Sequence, residues 1–173
     1  KFNIQEFTDF LGIDGLVMNK TTNIEHQTCY LLHRPDYSTT SFVIEECEGK
    51  KINLLMDPLS SYEDYKLLPY LLDSLSQYLN GEPYVIYPDT DKQEEFPAQT
   101  AFQFFNEEWA QAQIGEAVAF AKCAMSLHLP FFFELPIDHY YFITESELNA
   151  CGVDLHSSTS RIYGYMQYLL RNH

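Results

Sequence analysis

The densest set of metal-ligand types in this chain is His26, Cys29 and His33. On a strand rising about 3.3 Å per residue, Cys29 and His33 share a face but stand roughly 13 Å apart, and His26 points the other way. The run therefore reads as a satisfied histidine and a small buried thiol, not a zinc centre. Asp89 and Asp91, followed by Glu94 and Glu95, have the oxygen-rich look of a cation loop, but Glu94 takes the sixth position, where an EF-hand needs glycine. They read as a solvated loop, so no metal and no cofactor is expected.

Groups for nucleophilic or acid-base work are His128, His139, His156, Cys123, Cys151, Asp138 and Asp154. Asp138-His139 and Asp154-Leu155-His156 place a carboxylate next to an imidazole in sequence, but a catalytic triad is a matter of geometry, not order. No nucleophile elbow, zincin, dinucleotide or P-loop motif is present. His128, between two leucines, reads as a C-terminal charge answering a helix dipole.

Charge and tyrosine point elsewhere. With 25 Asp and Glu against 10 Lys and Arg, the net charge is -15. Such a chain has no cationic surplus with which to release counterions, which argues against nucleic acid. It would steer a basic partner toward it. The 13 tyrosines exceed what one core hides easily, and tyrosine is enriched where surfaces bind protein. Asp89, Asp91, Glu94, Glu95, Tyr163 and Tyr168 are the interaction candidates. Cys29, Cys47, Cys123 and Cys151 lack paired spacing and read as reduced cytoplasmic thiols. Cys29 and Cys47 face each other only if the hairpin between them centres near Ser38. Neither a signal stretch nor a lipidation box is seen, and the sequon at Asn19 has no secretory context. A chain beginning at Lys1 is also compatible with one piece of a longer protein.

These residues need elements to hold them. The stretch 106–129 reads as a central helix: Asn106 caps it, Glu107 and Glu108 face its positive end, and Pro130 stops it. It is apolar nearly all round, as buried helices are, and Glu116, Lys122, Gln111 and Gln113 exclude a membrane span. Function is then expected at its two ends rather than along it. A short amphipathic helix at 3–11 stops at Gly12. Strands at 16–19, 26–34, 41–47 and 52–56 read as an antiparallel meander with one face covered, turning at 35–38 and 48–50. Ser61 and Asp64 open a leucine-striped helix ending at Asn80-Gly81, which Pro69 should kink or divide. A strand at 84–87, a mobile polar loop at 88–97, two strands at 131–135 and 139–143, a capping box at Thr144 and a last helix from Ser157 or Ser158 complete the chain.

At 173 residues one domain is expected over 1–173. The fold expected is α+β: an antiparallel sheet, the meander extended by 84–87 or by the 131–143 pair, packed against the central Ala-rich helix and two or three further helices. The function expected is an acidic, cytoplasmic, bacterial-type interaction module of the immunity, antitoxin or regulatory kind, non-catalytic, with a basic protein partner and no membrane. The alternatives are a small hydrolase-like enzyme using His128, His139 or His156 near the 88–97 loop, and a structural domain of a larger protein.

Overall fold

The computed structural model describes residues 2–23, 26–47, 51–87, 92–95, 100–135 and 139–172, with 84–87, 92–95, 132–135 and 139–140 described as backbone. Helix α1, Ile4–Leu11, begins where the Asn3 side chain accepts from the Gln5 and Glu6 amides and ends at Gly12 in the left-handed region, φ 60. A cap at each end lets eight residues hold as a helix whose Ile4, Phe7 and Leu11 turn inward.

Strands β1 (Val17–Thr22), β2 (Thr28–His33), β3 (Phe42–Cys47) and β4 (Lys51–Met56) form the antiparallel meander in sequence order. The register sets Met18, Leu32, Phe42 and Met56 in one cross-strand row, with Lys20, Tyr30, Ile44 and Leu54 beside it on the same face. Helix α1 and helix α2, Tyr62–Leu79, cover that face: Phe7, Leu32, Ile44 and Leu71 are fully buried together. Burial of each stabilises by about 2 kcal/mol. Helix α2 runs on through the buried Pro69 without a break.

The later strands do not extend this sheet. β5 (Tyr84–Tyr87) pairs with β6 (Lys92–Glu95), and β7 (Phe131–Leu135) with β8 (His139–Ile143), each as its own two-stranded hairpin. Short connections favour pairing with the sequence neighbour over a distant edge. Lys92 to Glu95, expected within a loop, is thus a strand, since the ladder to β5 outweighs its weak strand propensity. The rest of that expected mobile loop, like the turns at 48–50 and 136–138, lies outside the described residues.

After the short helix α3, Ala101–Phe104, comes α4, Glu107–Ser126, capped by Asn106 as expected. It is not buried all round. Ile114, Val118, Ala121 and Met125 face inward, whereas Cys123 is exposed and Phe120 is 65% exposed. Its inner side packs with Phe131, Ile143, helix α5 (Glu145–Ala150, opened by the Thr144 capping box) and helix α6 (Thr159–Arg171, capped by Ser158). Tyr65 of α2 and Ala110 and Ile114 of α4 bridge this cluster to the one under the meander. The fold is α+β.

Candidate functional site

Three places collect polar or exposed groups. The first is a buried hub where β2 ends and α2 begins. Ser61 caps α2 by accepting from the Asp64 amide at 3.2 Å and donates its hydroxyl to Asp64 Oδ2 at 2.8 Å. Ser38 Oγ, from the β2–β3 connection, accepts from the Arg34 amide at 2.9 Å and donates to Asp64 Oδ1 at 2.8 Å. Arg34 Nη2 approaches the same oxygen at 3.5 Å. Thr39 and Thr40 reach the Leu59 carbonyl and Ser60 in the same way. Burial raises the Asp64 carboxyl above its ordinary value, opposed by the Ser61, Ser38 and Arg34 donors. Burial lowers His33, partly offset by the Asp64 charge, and its Nδ1 is buried with no hydrogen-bond partner among the described residues.

Serine, histidine and aspartate are thus close together, but not as a nucleophile site. Ser38 and Ser61 donate to the carboxylate, so neither hydroxyl is directed at the imidazole. The hub fastens the meander to α2. Sequence reasoning caught the Ser61 cap and missed the rest; the run Ser38-Thr39-Thr40-Ser41 and the pair Ser60-Ser61 were the available signal.

The second place is a cleft of about 680 Å³ at the N-terminal ends of α2, α4 and α6, lined by Tyr62, Glu107, Gln111, Ile114, Tyr163 and the first residues of α6. Tyr62 and Gln111 donate to the Glu107 carboxylate and, Tyr62 foremost, hold it below its ordinary value. Three helix N-termini bring about +0.5 charge each. Lys66 lies over the Tyr62 ring at 4.5 Å, and Arg171 pairs with Glu63 at 3.6 Å. Against these stands Glu107, the charged side chain of the cleft lining.

The third place is the C-terminal end of α4. Leu129 N donates to the Ala124 carbonyl and His128 N to that of Met125, a Schellman closure with His128 in the left-handed position at φ 54. Its Nδ1 lies 2.7 Å from Glu145 Oε2, with the side chain 82% exposed. Leu127 and Leu129 flank His128 here, both more than half exposed, and Phe120 lies about two turns earlier on α4, also exposed.

The expected candidates scatter. Asp89, Asp91 and Asp138 lie outside the described residues. Glu94 and Glu95 sit at neighbouring positions on β6, in register with Val85 and Tyr84. Tyr163 lines the cleft, but its hydroxyl donates inward to the Ser60 carbonyl at 2.6 Å, and burial raises its pKa. Tyr168 is exposed and stacks on Tyr165, whose hydroxyl meets Cys151. Asp154 accepts the His156 backbone amide at 2.8 Å, a local turn in place of a carboxylate–imidazole pair. His128 and His156 are exposed, His139 is placed by its backbone on β8, and no histidine lines the cleft at the helix N-termini. His26 is not on a strand but in the β1–β2 turn at φ 62. Cys29 is opposite Glu45, so Cys47 sits diagonally from it rather than across, the hairpin centring at Tyr37 instead of Ser38. Glu45 accepts from Asn23, Asn53 and Cys29 on that face. Among the described residues no three His, Cys, Asp or Glu side chains converge as a metal set, and no helix is long and apolar enough to cross a membrane. Comparison with protein-family models, with curated proteins and with solved structures finds no match to this chain.

Proposed function

We propose that the chain is a non-catalytic interaction module of the immunity, antitoxin or regulatory kind that engages a basic protein. The observation carrying this is the charge surplus: at a net charge of -15, fifteen carboxylates stay unanswered even if every lysine and arginine is paired. Much of that acid is at the surface, at Asp9, Asp14, Asp36, Glu108, Glu116 and Asp154. A surface of this sign accelerates encounter with a cationic partner and disfavours acidic ones. The inward commitment of Ser38, Ser61 and Asp64 supports a scaffold role for the hub. A reducing compartment such as the cytoplasm accords with the four free thiols.

The test is calorimetric titration of the purified chain with basic proteins recovered by pull-down at low salt. A saturable complex whose affinity falls steeply as salt rises is expected; failure to find any saturable cationic partner refutes the reading.

A further inference from the structure

The sequence of α4 is apolar nearly all round, yet only one side of the helix enters the core. Phe120 and Leu127, seven residues apart, lie within about 20° of each other around the axis. Exposed Cys123 and Glu116 fall on the same outer stripe. At 65% and 60% exposure Phe120 and Leu127 are the two most exposed large apolar side chains among the described residues, and Leu129 (54%) follows just past the helix end. Monomeric surfaces rarely gather large apolar side chains in this way without a partner to cover them.

Charge selects the occupant. Glu116 lies in the stripe and Glu145 at its end, while Lys122 projects about 160° from Phe120, on the far side. His128, the remaining group there able to carry positive charge, is already held by Glu145. A second copy of this chain would therefore bring carboxylates against the patch with no lysine or arginine to answer them. From Glu116 to Leu127 the stripe spans about 17 Å, the length of about three helical turns.

We propose that this stripe is the docking surface, and that its occupant is an amphipathic helical segment of the partner with an apolar face flanked by lysine or arginine. Phe120 is the central anchor, Leu127 and Leu129 extend the apolar seat, and Glu116 and Glu145 meet the flanking cations. This rests on the reading of a basic partner given above.

The probe is a synthetic helical peptide of about 18 residues, leucine on one face and lysine on its flanks, titrated into the full chain by fluorescence anisotropy. Phe120→Ser/Leu127→Ser should weaken binding about tenfold or more, and Glu116→Lys several-fold, while Phe102→Ser, at another exposed phenylalanine, should change it by less than about twofold. Amide NMR shifts on the wild-type chain should centre on 116–129, which keeps the test decisive if a variant folds poorly. Wild-type binding that survives the double substitution, with shifts elsewhere, overturns the docking surface and leaves the basic-partner reading standing. No binding to the wild-type chain overturns both. A concentration-dependent dimer in sedimentation, abolished by the double substitution, assigns the stripe to a second copy and overturns the proposal.

Discussion

Ser38 Oγ donates to Asp64 Oδ1 at 2.8 Å, joining the β2–β3 connection to the first turn of α2 across 26 residues of sequence. Asp64 is 1% exposed, and each of its oxygens receives a serine hydroxyl. Truncating it leaves Ser38, Ser61 and the partly buried Arg34 without their acceptor. Asp64→Ala should therefore lower unfolding free energy by about 3 kcal/mol, and Ser38→Ala by about 1 kcal/mol. Because the two share one contact, the double variant should lose less than the sum. Urea denaturation of the four proteins checks this, and strict additivity would show that the hub is not one network.

His33 makes stability depend on pH. Its folded pKa is lowered by burial from an ordinary value of 6.5, so the unfolded chain takes up a proton that the folded chain refuses. Its contribution is fully present above that value and is lost as pH falls through 6.5 toward the folded pKa. Asp64 works oppositely: its folded pKa is raised above 3.8, so the folded chain gains stability as pH falls through that raised value. His33→Gln should flatten the decline in urea midpoint between about pH 7 and 6. An unchanged slope in the variant would remove His33 as its source.

The inner and outer sides of α4 should respond differently to the same substitution. Ala121 is fully buried between α4 and its neighbours, whereas Ala119 is exposed. Ala121→Leu should cost about 2 kcal/mol through overpacking, and Ala119→Leu should change stability by less than about 0.5 kcal/mol. Thermal unfolding of both variants checks the orientation of the helix, and equal costs would contradict it.

His128 occupies a left-handed C-terminal position that glycine fills at no steric cost. A side chain there costs about 1 kcal/mol. Its hydrogen-bond contact with Glu145, at 82% side-chain exposure of the histidine, is worth less than about 0.5 kcal/mol. His128→Gly should therefore be neutral or stabilise by about 0.5 kcal/mol. A clear loss in urea midpoint would mean that the Glu145 contact outweighs the backbone term.

Local chemistry was legible without a fold. The caps at Ser61, Asn106, Thr144 and Ser158 stand where side-chain acceptors precede helical spacing, and each accepts from a first-turn amide as expected. The order of the meander followed from short turns between apolar runs. What needed the tertiary structure was direction and pairing at a distance. A helix apolar on every side carries no mark of which side meets the core, so the exposure of Phe120 depended on where α6 and β8 pack. Tyr163 had the look of a surface residue until its hydroxyl met the Ser60 carbonyl, 103 residues earlier in the chain. Ser61 lies in the same turn as Asp64 and was legible, but Ser38 and Arg34 were not, since they reach Asp64 from a distant segment only once the sheet is folded against α2.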